Sequence, residues 1–191
     1  CTYGEFANAS GLPSCYECSM NFFSKTRNAY RCEKCPAGWS TSGDMGSRKC
    51  DPCPAGTFGA KSGQFCNLCP KDSFSKQRNS TSCKGCGSNQ RTENKGETFC
   101  QVCPAGYQIS GEIQSRECLM CEHGKISSTG SNCTNCTEGS YSSLDRTVCV
   151  LCPKGKFSST VGASNISTCQ NCSAGRYSSA TGVSGESGCN Q

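Results

Sequence analysis

The chain has 191 residues, among them 22 Cys, 22 Gly and 7 Pro, and its 19 basic and 14 acidic residues leave a formal charge of +5. Leu, Ile, Val and Phe together number 22, about 12%, below the roughly 20% needed for a conventional core, whereas Cys at about 12% exceeds the roughly 8–10% that marks a disulfide scaffold. Order must therefore come from cross-links rather than apolar burial, and with one His and no paired acids a metabolic enzyme is not expected.

No run approaches the roughly 18 apolar residues of a membrane span, so no membrane insertion is expected. The densest basic stretch, Lys25 to Lys34, is diluted by Glu33 and lacks aromatic platforms, so nucleic acid is not an expected partner. The chain opens at Cys1 without an initiator Met or a signal peptide, which reads as a mature or excised segment.

From Cys1 onward the Cys residues form ten C-x-x-C pairs with a single Cys at each end, and they separate eleven loops. In chain order the loops span residues 1–15, 18–32, 35–50, 53–66, 69–83, 86–100, 103–118, 121–133, 136–149, 152–169 and 172–189. Three residues after the opening Cys each loop carries a turn residue: Gly4, Asn21, Gly38, Gly56, Asp72, Asn89, Gly106, Gly124, Gly139, Gly155 or Gly175. Gly, Asn and Asp tolerate a left-handed backbone at least cost. One or two positions later comes Phe6, Phe23, Trp39, Phe58, Phe74, Tyr107, Tyr141, Phe157 or Tyr177, with Arg91 and Ile126 in the two remaining loops. A second turn residue follows, from Gly11, Asn28 and Gly43 through to Gly162 and Gly182, after a stretch usually rich in Ser.

Each loop thus reads as a small hairpin, with Pro36, Pro54, Pro70, Pro104 and Pro153 stiffening the exit from the Cys. The aromatic is the only large apolar group per unit, and it is expected to pack on the neighbouring disulfide or the next hairpin. The fold class is small, disulfide-rich, mostly β-hairpin and coil, an elongated tandem-repeat rod without a conventional hydrophobic core. The whole of 1–191 forms one array.

C-x-x-C pairs also suit tandem zinc ribbons. Zinc sites built from them would leave Cys1 and Cys189 idle, and most loops are shorter than the zinc spacing, so disulfides in an oxidising compartment are the better reading. Redox-active pairs are the third. Two connectivities use all 22 Cys. In the ladder, Cys1 joins Cys15, Cys18 joins Cys32, Cys35 joins Cys50, Cys53 joins Cys66, Cys69 joins Cys83 and Cys86 joins Cys100. It continues through Cys103–Cys118, Cys121–Cys133, Cys136–Cys149, Cys152–Cys169 and Cys172–Cys189, each C-x-x-C serving as a hinge. The interleaved alternative spans two loops at a time.

Sequons N-x-S/T occur at Asn8, Asn79, Asn132, Asn135, Asn165 and Asn171. Asn8, Asn79 and Asn165 are the expected glycan acceptors. Asn132, Asn135 and Asn171 are weaker candidates because a Cys occupies the middle of each sequon. The Ser/Thr runs suit O-linked sugar or plain polar strand faces. His123 has no second His to share a metal, and no catalytic, cofactor-binding or metal site is expected.

The pattern C-x-x-C-P-x-G-x-aromatic, as in Cys50 to Phe58 and Cys149 to Phe157, resembles the ephrin-receptor-like cysteine-rich repeat. That family belongs to the wider growth-factor-receptor cysteine-rich class, related to tumour-necrosis-factor-receptor and EGF-like modules. The resemblance covers essentially the whole chain and departs from it in the loops opened by Cys86 and Cys121. It implies an extracellular disulfide-ladder scaffold at the cell surface without catalytic activity. Two functions follow as expectations: a glycosylated structural rod of a surface coat, filament or appendage, whose partners are itself or other surface proteins, or a receptor or adhesion ectodomain binding a protein ligand. Candidate contact residues for the second are Met20, Phe22, Met45, Phe65, Leu119 and Met120.

Overall fold

A computed structural model describes residues 1–191. It contains no α-helix; strands, turns and two short 3-10 turns make up the whole chain. Eleven disulfides close consecutive loops, from Cys1–Cys15 to Cys172–Cys189, and no Cys is free. The loops are called hairpins 1 to 11 below.

Nine hairpins contain a two-stranded antiparallel sheet. In hairpin 1, Glu5–Phe6 pairs with Tyr16–Glu17; in hairpin 2, Phe22–Phe23 pairs with Glu33–Lys34; in hairpin 3, Trp39–Ser40 pairs with Asp51–Pro52. The outgoing strand lies where the sequence puts it, just after the first turn residue. The returning strand does not. It is formed by the two residues inside each C-x-x-C, beyond the closing Cys, so these dipeptides are paired strands and not hinges. The physical reason is reach: closing the loop by a disulfide near its base leaves the next two residues alongside the outgoing strand, where their backbone groups find partners.

The longest ladder pairs Tyr107–Ser110 with Glu117–Met120 in hairpin 7. Hairpins 6 and 11 keep only single bridges, Arg91 to Gln101 and Tyr177 to Asn190. In hairpins 10 and 11 the return path includes the 3-10 turns Ile166–Thr168 and Glu186–Gly188, which take up the longer spacing between their Cys residues. The chain divides into two compact units, one made of 1–87 with 92–100, the other of 88–91 with 101–191. The division falls in hairpin 6, whose opening segment, Cys86 to Arg91, lacks both Pro and the slot aromatic. Asn89, its first turn residue, is also outside the set of residues with positive φ.

The core differs from expectation. Among the slot aromatics only Phe157 is buried; the others are half-buried, or exposed in the case of Tyr177. The deepest groups are the opening half-cystines Cys18, Cys35, Cys53, Cys69, Cys103, Cys121, Cys136 and Cys152, all 2% exposed or less. Packed with them are small hydroxyl residues: Ser24, Thr41, Ser75, Thr92, Ser127, Ser142, Ser158 and Ser178. The Ser-rich stretches therefore enter the interior in part and are not simply outward strand faces. Hairpins this thin have no room for a large side chain between one backbone and the next, and a Ser hydroxyl can be satisfied locally. Ser24 Oγ donates to Thr26 O, Ser75 Oγ to Gln77 O and Ser178 Oγ to Ala180 O.

Candidate functional site: the seam between hairpins

The most regular feature within each unit is the seam where one hairpin meets the next. In eight of the eleven hairpins the first turn residue lies three positions before a buried hydroxyl, and in nine its N–H bonds into the following hairpin. Gly4 N donates to Ser24 O, Gly38 N to Gly59 O, Gly56 N to Ser75 O, Gly106 N to Ser127 O, Gly139 N to Ser158 O and Gly155 N to Ser178 O, at 2.7 to 3.0 Å. A return bond comes from the second turn of the following hairpin to the carbonyl of the preceding opening Cys, as in Asn79 N to Cys53 O and Gly162 N to Cys136 O; in hairpin 3 the donor to Cys18 O is Gly46, three residues beyond the expected Gly43. These backbone groups lie at turns with no strand partner, so the seam satisfies groups that water would otherwise have to solvate.

Hairpins 2 and 5 carry Asn21 and Asp72 in place of the first glycine, and there the chemistry of the seam changes. Asn21 N donates to Thr41 Oγ1 at 2.9 Å, and Thr41 N returns a bond to Asn21 Oδ1 at 3.4 Å. Asp72 N donates to Thr92 Oγ1 at 2.7 Å, and Thr92 N to Asp72 Oδ1 at 3.3 Å. All four residues are buried. An acidic or amide side chain at the turn is thus matched by Thr twenty residues on, a coupling that the sequence contains but single-loop reading does not reveal.

Glycine at the first turn has a second use. A Cβ on Gly4 would overlap the carbonyl of Gly46, one on Gly56 that of Gly96, one on Gly124 that of Gly162, and one on Gly139 that of Gly182. The overlapping partner is two hairpins away, so each hairpin touches its second neighbour as well as its first.

The sequons are all on the surface: Asn8, Asn79, Asn132, Asn135, Asn165 and Asn171 are exposed. Asn79 is at a second turn with φ of 63°, and its N–H is held by Cys53 O. Asn165 caps the 3-10 turn Ile166–Thr168, its Oδ1 accepting from Ser167 N at 2.8 Å and also from Ser167 Oγ. Asn135 lies in a returning strand, close to Gly162. The six fall on four hairpins: Asn8 on hairpin 1, Asn79 on hairpin 5, Asn132 and Asn135 on hairpin 8, and Asn165 and Asn171 on hairpin 10.

His123 is exposed, and its Nε2 accepts from Arg146 Nη2 at 3.1 Å, while Arg146 Nη1 donates to Cys121 O. The pair pins hairpin 9 to hairpin 8, in a loop whose Pro position is taken by Glu122. Four carboxyls are held below their ordinary values by hydrogen bonds: Glu5 by Thr2 N–H, Glu122 by Lys125, Asp145 by the Ser143 and Thr147 hydroxyls, and Glu186 by Ser173. Each ties a loop to itself. No grouping of three or more His, Cys, Asp or Glu is arranged to hold a metal ion. No helix is long and apolar enough to cross a membrane.

Residues 4–48 and 124–169 match the family model of the tyrosine-protein kinase ephrin type A/B receptor-like repeat. The chain is also similar to the Sushi, von Willebrand factor type A, EGF and pentraxin domain-containing protein 1. The rat protein is 32% identical over 109 residues, 54% of this chain and 3% of the relative; the mouse protein is 28% identical over 145 residues, 70% of this chain and 4% of the relative. The chain therefore spans only a few per cent of the length of these relatives. The two matched segments are ephrin-receptor-like repeats, one in each compact unit, and the chain is an extracellular-type cysteine-rich repeat array.

Proposed function

For an array of ephrin-receptor-like hairpins, we propose a non-catalytic structural role outside the cell: a glycosylated, stiff spacer within a surface coat, filament or appendage. The observation that carries this reading is the recurrence of one seam. The same backbone bonds join successive hairpins within each unit, no inserted loop interrupts them, and repeats joined in this way allow length to be added without redesign. Exposed sequons at Asn8, Asn79 and Asn165 suit a sugar-coated surface. The test is solution scattering of the oxidised chain. A compact globule of this length would have a radius of gyration of about 16 Å; a clearly larger value is expected, and a value near 16 Å refutes the spacer.

A second reading, a protein-binding ectodomain, draws on hairpin 7. Its ladder is the longest, and it exposes Ile113 at the tip with Leu119 and Met120 on the returning strand. Replacing Leu119 and Met120 by Ser would then abolish capture of a partner on whole cells while leaving the scattering profile unchanged.

A further inference from the structure

The positive charge of the chain is concentrated in one place. Hairpins 4 and 5 with the dipeptide that follows them, residues 53–86, hold Lys61, Lys71, Lys76, Arg78 and Lys84 against a single acid, Asp72. Four of the chain's five net positive charges therefore fall there. Asp72 is 1% exposed and its Oδ1 accepts from Thr92 N within the seam, so its carboxylate does not face the outer cations. The three ion pairs of the chain lie in other hairpins: Lys25 with Glu33 at 3.8 Å, Lys49 with Asp51 at 2.9 Å and Lys125 with Glu122 at 2.6 Å. Lys61, Lys76, Arg78 and Lys84 are exposed and belong to none of them.

Two of these cations, Lys76 and Lys84, wall a shallow concavity of about 220 Å³ on hairpin 5. Phe74, Gln77, Ser80 and Ser82 also line it, and no carboxylate does. Lys84 stands opposite Phe74 in the strand pairing, so its side chain and the half-buried ring share a face. Ser75 Oγ bonds Ser80 Oγ and the Gln77 carbonyl, and Ser80 Oγ bonds that carbonyl too, which fixes the shape of the tip. Gly59 N to Ser80 O and Asn79 N to Cys53 O press the tip on hairpin 4; Lys61 and Arg78 are each two residues from the first of these bonds. Asn79 is not among the lining residues: its Oδ1 is turned to Gly38 of hairpin 3, which directs a sugar on Asn79 away from the concavity.

We infer that hairpins 4 and 5 bind a sulfated polysaccharide, with sulfates at Lys76 and Lys84 and the sugar chain continuing over Arg78 and Lys61. This goes beyond the spacer reading by giving the array a ligand. Exposed charges are screened beyond about 8 Å at physiological salt, so an anion gains most when it sits directly between the two ammonium groups. Cations spread over two hairpins suit a ligand whose charge repeats along a chain better than a single phosphate. Each sugar ring also brings hydroxyls for Gln77 and Ser82 and an apolar C–H face for Phe74. A nucleic acid would want a row of aromatic platforms for its bases, and this concavity has one half-buried ring.

The test is fluorescence anisotropy of a labelled heparin hexasaccharide titrated with the oxidised chain. Binding is expected, and it should weaken as salt rises. Lys76→Gln with Lys84→Gln should lower the affinity at least about tenfold, because two charge-assisted contacts are lost. Lys154→Gln with Lys156→Gln removes the same charge from hairpin 10 and should leave the affinity unchanged. None of the four side chains is buried, so both variants keep the fold. Absence of binding at low salt, or equal losses from the two double substitutions, overturns the proposal. So does equal affinity for the desulfated hexasaccharide, or for a single-stranded oligonucleotide matched in charge to the sulfated one. The radius of gyration is untouched by any of these outcomes, so the spacer reading stands or falls separately.

Discussion

Asn21 and Asp72 show how much one residue decides in a chain with almost no apolar interior. Each is buried and left-handed, with φ of 64° and 63°, a conformation that costs most residues about 1–2 kcal/mol but is eased by a short polar side chain. The matching Thr supplies the hydroxyl that their N–H needs. Thr92→Val keeps the shape and removes that acceptor, so it should destabilise the first unit by about 1–3 kcal/mol in chemical unfolding; an unchanged midpoint would show that the hydroxyl is dispensable. The first-turn glycines make a sharper case. Gly56→Ala has both a φ of 81° and the Gly96 carbonyl to contend with, whereas Gly155→Ala has only its φ of 72°. Gly56→Ala should therefore lower the melting temperature more than Gly155→Ala, and equal losses would remove the second-neighbour contact from consideration. From the sequence, both glycines read as turn formers; that one of them also admits a hairpin from two repeats away could not be read, because the approach is between backbones and leaves no side-chain signature.

At the scale of the hairpin, the disulfide and the seam divide the work. The half-cystines of each loop are 12 to 17 residues apart, and closing a loop of that size removes about 3 kcal/mol of chain entropy from the unfolded state, whereas two-residue strands alone are far too short to hold a hairpin. Replacing Cys53 and Cys66 together by Ser should release hairpin 4 and loosen hairpins 3 and 5, which share its seams through Gly38, Gly59 and Ser75. Hydrogen exchange should show hairpins 8 to 11 unchanged, as expected when repeats contact only near neighbours; protection lost along the whole chain would contradict that picture. The carboxyl caps act on single loops. Glu5 and Glu186 have folded values below the ordinary 4.5, so they hold Thr2 N and Ser173 N fully above that pH and release them as pH falls through the lowered values. Acid titration followed by NMR should move the Thr2 and Ser173 amides while the amides of the buried seam stay in place; caps that do not respond below pH 4.5 would refute the assignment.

For the whole molecule, surface chemistry outweighs interior chemistry. Most of the large apolar side chains are exposed, among them Tyr30, Phe99, Ile113 and Leu144, and the six sequons lie among them. Asn8, Asn79 and Asn165 are expected to carry N-linked sugar when the chain is secreted, detected as a mass loss on enzymatic deglycosylation at those three sites. Occupancy confined to Asn132, Asn135 and Asn171 would reverse the ranking drawn from the middle Cys.

The cysteine count, the spacing of the pairs and the repeated turn residues were sufficient to establish a disulfide-rich hairpin array, because loop closure and left-handed turns are local matters written in Cys, Gly, Asn and Asp. Tertiary structure alone decided the rest. It put the returning strands inside the C-x-x-C pairs, buried Ser and Thr beside the half-cystines, left the aromatics on the flanks, and matched Gly4 to Gly46 across two repeats. Those outcomes depend on how closely one backbone can approach another, which is set by the absence of side-chain atoms and by bonds between main-chain groups that every residue shares.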